Sequence, residues 1–281
     1  MAHPRDLREA LRGELTDVEL QKIRAFDIVG DIAVIKLPDE LLPKKEIIGR
    51  ALMRVHRNVR TVLLQTGPVS GEFRTRGLEV VAGEPRTETV HRESGCTFKV
   101  DLARVYFSPR LAHERLRVAS LVGPGEVVTN LFAGVGCYSI VVAKRGKAKK
   151  VYSIDKNPVA FRYMCENIRV NKVGDRVVPL LGDAKEVVES IANEADRVLM
   201  PLPELARDFL DVALRALKRG GGVIHFYDYG VEPDPFGPSL EFVRRVAGEW
   251  GYDVELLSNR LVRSYAPNCY HIVLDLSVTA A

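Results

Sequence analysis

The chain has 281 residues, of which 46% are hydrophobic and 28% are charged, a balance typical of water-soluble globular proteins. No apolar run approaches the roughly 18 residues of a membrane span, and the charged start MAHPRDLREALRGELTD lacks the apolar stretch of a secretory signal, so we expect a cytoplasmic protein without a membrane partner. The net charge of +4 is compatible with a nucleic-acid partner but too small to establish one.

The four cysteines lie far apart in the sequence, at Cys96, Cys137, Cys165 and Cys269. None forms a C-x-x-C pair of the kind found in zinc and redox sites, and a disulfide framework requires a higher density of cysteine in a shorter chain. We therefore expect small core or loop residues at these positions, and no bound metal.

Residues 26–106 predict a small α+β module, which follows an N-terminal extension of residues 1–25. Several of its short runs, such as TETVHRE, alternate apolar and polar residues, and Gly, Pro and Asn separate them. The run KKEIIGRALMRVHRN predicts one helix, and CTFKVDLARVYF predicts the last strand. The pattern favours an antiparallel or mixed sheet.

Residues 107–281 predict a Rossmann-like α/β domain with a parallel sheet, because strands and helices alternate along the chain. The alternation includes the strand-like runs EVVTNLF, VYSID, VVPLLGD, DRVLMPLP and GVIHFYD, and the helical run LARDFLDVALRALKRG. Two further strand-like runs, YDVELLSNRLV and YHIVLDLSV, follow the last predicted helix. They predict an antiparallel hairpin at the edge of the sheet.

Three successive predicted strands end in groups suited to a nucleoside. The first ends in the loop Phe132–Gly136, whose glycines let the backbone approach a ligand, although any tight turn also favours glycine. The second ends in Asp155, nineteen residues after Gly136, where a carboxylate can accept hydrogen bonds from both ribose hydroxyls. The third ends in Asp183, which can reach an adenine edge. The coincidence at one sheet edge favours a ligand site over chance surface charge.

The phosphate-binding pattern G-x-G-x-x-G is incomplete in this loop, because position 139 is serine. A ligand without phosphates therefore fits better than NAD or FAD. S-adenosylmethionine is the common ligand of that kind, and we expect it to be the cofactor.

Two basic segments allow both a structural and a functional interpretation. In the first, which begins at Ser108, that serine can cap a helix and Glu114 can pair with Arg110 or Arg117 across one turn. The same arginines can instead bind a carboxylate, a phosphate or a purine edge. In the second segment, GEFRTRG, the arginines either lie on a solvated loop or reach a carbonyl or phosphate oxygen of a ligand.

With these segments the chain resembles the archaeal and eukaryotic tRNA (guanine-37-N1)-methyltransferase family, whose relatives build wyosine-type bases on the same nucleotide. The similarity runs from about Phe26 to the C-terminus. The matching segments are VSGEFRTRGLEVVAGE, TVHRESGCTFKVDLARVYFSPRLAHERLR, NLFAGVG, YSIDKNP, ENIRVNKV, GDA, DRVLMPLP, GGVIHFYD and VRSYAPNCYHIVLDL. Together they are far more specific than the general methyltransferase fold.

The resemblance implies a class I S-adenosylmethionine-dependent methyltransferase domain over residues 107–281 and a tRNA-binding or linker module over residues 26–106. It implies that Glu114 is the general base that removes the proton from guanine N1, and that Arg74 stabilises negative charge on O6. It places Arg76 and Arg110 at the tRNA substrate, in the anticodon loop at position 37. It also implies a group of cofactor-binding residues: Phe107, Arg115, Phe132, Ala133, Gly134, Gly136, Asp155, Lys156, Asp183, Ala184 and Pro201.

Two departures from the family pattern keep an alternative open. Pro201 stands where the family carries an asparagine, so the hydrogen bonds of that amide are missing. About 25 residues precede the small module, fewer than the extra N-terminal domain of many members requires. The alternative is alkylation of a wyosine precursor at position 37, by a methyl or an aminocarboxypropyl group.

A catalytically silent tRNA-binding protein is a third interpretation. The intact Glu114, Arg74 and cofactor loop argue against it. We expect a monomeric transferase that modifies tRNA.

Overall fold

The computed structural model describes residues 4–23, 26–68 and 70–281. The chain divides into two compact units, residues 1–110 and residues 111–281. Each unit has its own hydrophobic core. In the described part of the chain, no helix is both long enough and apolar enough to cross a membrane.

Two short helices begin the first unit, α1 (Leu7–Ala10) and α2 (Asp17–Lys22). The Thr16 side chain accepts a hydrogen bond from the backbone of Glu19, and the Glu19 side chain bonds back to the Thr16 backbone, so a capping box starts α2. Leu11 and Leu15, which lie between the helices, are buried in the core of the first unit. The N-terminal stretch is therefore anchored by apolar packing.

A four-stranded mixed sheet forms the centre of the first unit, in the order β1-β2-β3-β4. Only β2 and β3 are parallel, and the helix α3 connects them. The elements are β1 (Asp27–Val29), β2 (Ile32–Ile35), α3 (Lys45–Val55), β3 (Thr61–Gln65) and β4 (Leu78–Gly83). Of the two sheet types that the sequence allowed, antiparallel or mixed, the structure has the mixed one.

A separate antiparallel ribbon follows, made of β5 (Glu88–Glu93) and β6 (Cys96–Asp101). The predicted last strand is too long. The run CTFKVDLARVYF extends to Phe107, but β6 ends at Asp101. The Asp101 carboxylate accepts hydrogen bonds from the Ala103 backbone at 3.1 Å and from the Thr87 hydroxyl at 2.7 Å. This local side-chain turn competes with continuation of the strand.

The second unit contains a seven-stranded sheet in the order β12-β13-β11-β10-β7-β8-β9. Strands β11, β10, β7, β8 and β9 are parallel, and β13 and β12 run antiparallel at one edge. The strands are β7 (Val127–Asn130), β8 (Lys150–Asp155), β9 (Val177–Leu181), β10 (Arg197–Met200), β11 (Gly221–Val231), β12 (Tyr252–Ala266) and β13 (Cys269–Ala280). This arrangement confirms the predicted Rossmann-like sheet and its edge hairpin.

Helices cover the sheet of the second unit, which buries its central strands on both faces. They are α4 (Ala112–Leu121), α5 (Cys137–Arg145), α6 (Pro158–Asn171), α7 (Ala184–Val187), α8 (Pro203–Ala206), α9 (Leu210–Ala216) and α10 (Gly237–Glu249). The long helix predicted after β10 is broken, because a 3-10 turn over Arg207–Phe209 separates α8 from α9.

The chain leaves β7 toward β8 on one side and returns to β10 on the other side. The strand order therefore reverses at the carboxyl end of β7, next to β10. In open α/β sheets a crevice for ligands forms at this position.

Candidate active site

The loop after β7 is held in one conformation by glycine and by side chains below it. Gly134 and Gly136 have φ angles of 57° and 89°, which favour glycine. A methyl group on Gly136 would lie 3.1 Å from both the Ile140 Cδ1 atom and the Met164 Cγ atom. The Asn167 side chain donates a hydrogen bond to the Val135 carbonyl at 3.0 Å. Contacts within the protein therefore hold the loop in this conformation.

Asp155, at the end of β8, connects this loop to the next strand. Its Oδ2 atom accepts a hydrogen bond from the Gly134 amide at 2.6 Å, and its Oδ1 atom accepts one from the Asn157 amide at 2.9 Å. Burial raises the pKa of the Asp155 carboxyl, and the two backbone hydrogen bonds oppose that effect. A carboxylate oxygen has two acceptor directions, so each oxygen keeps one for a ligand hydroxyl.

The third strand end places Asp183 beside Lys156. The Lys156 Nζ atom lies 3.6 Å from the Asp183 Oδ2 atom. Asp183 also caps α7, because its Oδ1 atom accepts a hydrogen bond from the Lys185 amide at 3.0 Å. Ala184 is buried directly after it. Both predicted polar residues therefore lie at the carboxyl edge of the sheet.

Phe132 and Ser139 support the loop from opposite ends. The Phe132 ring packs edge-on against Phe209, with ring centroids 5.0 Å apart. The buried Ser139 hydroxyl accepts a hydrogen bond from the Asn130 side chain at 3.1 Å and bonds to the Ser153 hydroxyl. Ser139 thus joins α5 to β7 and β8, in the place where a dinucleotide site has its third glycine.

Pro201 directly follows β10 at the same edge of the sheet. The backbone turns here, and the Leu202 amide donates a hydrogen bond to the Met200 carbonyl at 2.8 Å. Proline has no amide hydrogen and no polar side chain. This strand end therefore offers no side-chain hydrogen bond from position 201.

Glu114 lies in the first turn of α4 and is only 7% exposed. Arg117 binds it with two hydrogen bonds, from Nε to Oε2 at 2.8 Å and from Nη2 to Oε1 at 2.7 Å. The Tyr227 hydroxyl donates a third hydrogen bond, to Oε1 at 2.7 Å. Of the two arginines that the sequence allowed as partners, Arg117 is the one that pairs with Glu114, whereas Arg110 binds Asp27.

Tyr227 brings Glu114 to the carboxyl edge of the sheet. Phe226 pairs with Met200 in the register of β11 and β10, so Tyr227 lies level with Pro201. The Tyr227 hydroxyl also lies 3.4 Å from that of Tyr138, two residues after the cofactor loop. The candidate base and the predicted cofactor residues of the second unit therefore meet at one edge of the sheet.

Arg115, the residue after Glu114, is 3% exposed. Its guanidinium carbon lies 5.9 Å from the centroid of the Tyr138 ring. Helix α4 begins at Ala112, with Leu111 at the N-cap position, so the α-helix starts later than the predicted start after Ser108. A 3-10 turn over Pro109–Leu111 occupies the intervening residues.

The remaining predicted residues belong to the first unit. Arg74 lies in a loop with a φ angle of 54°, an uncommon conformation for a residue other than glycine, and its guanidinium carbon is 5.5 Å from the Tyr106 ring centroid. Arg76 donates a hydrogen bond from Nη2 to the carbonyl of the buried Phe107 at 2.9 Å. Arg110 donates to Asp27 at 2.7 Å, and its side chain is 51% exposed. The two loop arginines thus have defined positions within their unit.

Sequence reasoning missed Tyr227, Tyr138 and Asp275. Asp275 binds Arg117, the partner of Glu114. Tyr227 is 113 residues from Glu114, and Asp275 is 158 residues from Arg117. The one available signal was an acidic residue within the apolar run YHIVLDLSV.

Among the described residues, no group of three His, Cys, Asp or Glu side chains is arranged to hold a metal ion.

Comparison with known families and proteins identifies the chain's relatives. Residues 89–255 match the model of the TRM5/TYW2 methyltransferase domain, and residues 7–87 match that of the TYW2 N-terminal domain. The tRNA (guanine(37)-N(1))-methyltransferase Trm5b of Pyrococcus abyssi is 48% identical over 91% of this chain and 75% of its own length.

Two further relatives are named for wyosine chemistry. The tRNA(Phe) (4-demethylwyosine(37)-C(7)) aminocarboxypropyltransferase of Pyrococcus horikoshii is 37% identical over 97% of this chain and 96% of its own. The tRNA 4-demethylwyosine(37)-methyltransferase Taw21 of Saccharolobus solfataricus is 36% identical over 90% of this chain and 93% of its own length.

Solved structures agree with these matches. Trm5b of Pyrococcus abyssi superposes with a TM-score of 0.88 at 46% identity, over 99% of this chain and 82% of that one. A complex of aTrm5 with tRNALeu superposes with a TM-score of 0.86 at 36% identity, over 99% of this chain and 79% of that one. TYW2 of P. horikoshii in complex with MeSAdo superposes with a TM-score of 0.82 at 35% identity, over 98% of both chains. The predicted fold class and cofactor are confirmed, and the chain belongs to the TRM5/TYW2 methyltransferase family.

Proposed function

We propose that this protein transfers a methyl group from S-adenosylmethionine to N1 of guanosine 37 in tRNA, with Glu114 as the general base. The observation that carries the proposal is the buried Glu114 carboxylate, which Arg117 and Tyr227 hold at the carboxyl edge of the sheet. The 48% identity to an enzyme named for this reaction supports the choice of substrate.

S-adenosylmethionine supplies an electrophilic methyl group when it is bound. Asp155 accepts hydrogen bonds from the ribose hydroxyls with the acceptor directions that Gly134 and Asn157 leave open. Asp183, which has Lys156 beside it, is assigned to the adenine edge. The remaining cofactor-binding residues line the nucleoside and the methionine part of the cofactor: Phe107, Arg115, Phe132, Ala133, Gly134, Gly136, Ala184 and Pro201.

The target nitrogen carries a proton at neutral pH, so it becomes nucleophilic only when a base removes that proton. Glu114 accepts the N1 proton as the new carbon–nitrogen bond forms. Electron density builds on guanine O6 while the proton leaves N1, and Arg74 is assigned to stabilise it. Bound S-adenosylmethionine would supply the methyl group from its sulfonium and would itself become a neutral thioether. The proton remains on Glu114 until solvent removes it.

The proposed macromolecular substrate is tRNA, as in the related complex of aTrm5 with tRNALeu. Arg110 has the exposure that a phosphate contact requires, since half of its side chain is accessible. Arg76 fixes the loop that carries Arg74 by binding the Phe107 carbonyl. Both arginines are assigned to the anticodon stem and loop around position 37.

The change Glu114→Gln tests the general base. Glutamine keeps the shape of the side chain but cannot take the proton, so single-turnover methyl transfer should fall by roughly 10²- to 10⁴-fold. Cofactor affinity should stay near that of the wild type. The wild-type rate should rise with pH, and this rise should vanish in the variant.

The matched control is Glu241→Gln, the same change at an exposed position of α10. If Glu114 serves only to tie α4 to β11, then Glu114→Gln would lower stability and leave the rate almost unchanged. Near-normal transfer to guanosine 37 by this variant would refute the proposed role.

A second candidate function is alkylation of a wyosine precursor at position 37. Pro201 favours it, because the strand end beside the cofactor loop lacks the amide that the resemblance to the guanine-37-N1 family leads us to expect there. The two relatives named for wyosine chemistry support it as well.

The two candidates separate with S-adenosylmethionine labelled either in the methyl or in the aminocarboxypropyl carbons. The acceptors are tRNA with guanosine 37 and tRNA with 4-demethylwyosine 37. Methyl label on the guanosine substrate supports the first proposal. Label of either kind on the wyosine precursor alone supports the second, and no label on either substrate would indicate a silent tRNA-binding protein.

A further inference from the structure

Arg117 lies between two carboxylates in the interior of the second unit. Its bonds to Glu114 use Nε and Nη2. On its other side, Nη1 donates to the Asp275 Oδ2 atom at 2.6 Å and Nη2 donates to Oδ1 at 3.2 Å. The Arg117 side chain is 13% exposed, and those of Glu114 and Asp275 are 8% and 4% exposed. The three groups therefore interact with little screening by water.

The two carboxylates differ in how fully they are bonded. Asp275 accepts four hydrogen bonds: two from Arg117, one from the Ser258 hydroxyl at 2.7 Å and one from His225 Nδ1 at 2.6 Å. Glu114 accepts three, and only one of these reaches Oε2. Because a carboxylate has four acceptor directions, the remaining direction belongs to Glu114 Oε2.

Asp275 is held in its ionised form. Burial opposes its ionisation, but hydrogen bonds from His225 and Arg117 outweigh this effect and hold its pKa well below the ordinary value of 3.8. Burial lowers the pKa of His225, so this imidazole is neutral. A neutral ring donates from Nδ1 to Asp275 and accepts at Nε2 from Arg197 Nη1, 2.7 Å away, which satisfies both contacts. Arg197 is paired with Glu126 in turn.

We propose that Arg117 and Asp275 are positioning residues for the base: Arg117 orients the Glu114 carboxylate, Asp275 offsets the charge of Arg117, and Oε2 receives the proton. The inference rests on the proposed role of Glu114.

The charges explain why the arrangement needs both partners. An arginine bound to a carboxylate favours the ionised form and so weakens the carboxylate as a base, and a second carboxylate bound to the same arginine offsets this effect. With Asp275 ionised, the three groups carry one net negative charge, and a proton taken by Glu114 neutralises it. The titratable or charged groups that face them from other elements are Tyr138 of α5, Arg197 of β10, His225 and Tyr227 of β11 and His271 of β13, together with Arg115 of α4.

The two phenols leave this balance unchanged, because they stay protonated. Burial raises the pKa of Tyr138 and of Tyr227, and the negative charge of Glu114 acts in the same direction. Tyr227 therefore remains a neutral donor to Glu114 Oε1.

Opposite shifts of the pH–rate profile test the proposal. Arg117→Gln removes the cation beside Glu114, so the midpoint of the rise in single-turnover rate with pH should move up by about 1–3 pH units. Asp275→Asn leaves the charge of Arg117 without its offset, and the midpoint should move down by about one unit. Arg117→Lys keeps the charge but not the two-pronged geometry, so the midpoint should stay while the plateau rate falls by up to about 10²-fold.

The matched control is Arg215→Gln, which removes an arginine of the same unit that pairs with Glu189 and Asp211. It should leave the midpoint unchanged. Thermal unfolding across the pH range identifies the variants that fold, and if Arg117→Gln does not fold, Arg117→Lys and Asp275→Asn decide the question. If Arg117 and Asp275 only stabilise the fold, their variants should lower the plateau rate without moving the midpoint of the pH–rate profile in opposite directions.

The outcomes separate the two proposals. If Glu114→Gln abolishes the pH dependence while folded variants at Arg117 and Asp275 keep the wild-type midpoint, the positioning role is refuted and the proposed function stands. If Glu114→Gln transfers methyl groups at the normal rate, the general-base role of Glu114 fails and the positioning role fails with it. If the wild type transfers no methyl group to guanosine 37, the proposed function itself fails.

Discussion

Replacing Asp155 by asparagine is expected to weaken cofactor binding strongly and to leave tRNA affinity almost unchanged. Each hydrogen bond to a charged group contributes about 1.5–3 kcal/mol. Two ribose hydroxyls with incomplete additivity give about 2–4 kcal/mol, or roughly a 30- to 700-fold rise in Kd. The loss has a second source, because the asparagine NH₂ group would face either the Gly134 amide or the Asn157 amide, both of which now donate to the carboxylate.

Isothermal titration calorimetry with S-adenosylmethionine measures this effect. Asp175→Asn is a matched control, since it makes the same change at a side chain that is 72% exposed. Binding of tRNA is measured separately, with the cofactor absent. Cofactor affinity of Asp155→Asn equal to that of the control would remove Asp155 from the site and overturn the assignment of the ribose contacts.

Two further predictions concern the loop and the tRNA. Gly136→Ala should lower the free energy of unfolding by about 1–3 kcal/mol in denaturant titrations, because φ is 89° and the new methyl group would lie 3.1 Å from Ile140 and Met164; Gly248→Ala, with open space around its Cβ position, is the control. Affinity for tRNA should fall steeply with salt, and Arg110→Gln should reduce the slope of log K against log salt by about one. An unchanged slope would place Arg110 away from phosphate.

The positions of the candidate cofactor residues could be predicted from the sequence because the signals for them are local. Each parallel strand ends within a few residues of the group that it positions, and parallel strands bring their carboxyl ends to one edge. The positions of Phe132–Gly136, Asp155 and Asp183 followed from that rule. The boundaries of β6 and α4 did not, because side-chain turns at Asp101 and the 3-10 turn before Ala112 decide them.

The environment of Glu114 could not be predicted in this way. Sequence spacing allowed Arg110 and Arg117 equally, since both lie within one helical turn of Glu114. The structure selects Arg117, because Asp275 binds that side chain from a strand 158 residues away and Asp27 binds Arg110. A contact set by the pairing of distant strands leaves no periodic pattern in the sequence.

The two halves of the site therefore depend on different parts of the sheet. The parallel strands β7, β8 and β9 hold the predicted cofactor residues, whereas the antiparallel strand β13 supplies Asp275 and β12 supplies Ser258. Relatives named for N1 of guanine and for C7 of 4-demethylwyosine share the fold. We expect a change of the alkylated atom to leave the nucleoside of the cofactor in place and to move the acceptor relative to the base. We therefore expect differences in acceptor to arise at Pro201 and at Glu114 with its partners Arg117 and Asp275. We do not expect them in the Phe132–Gly136 loop.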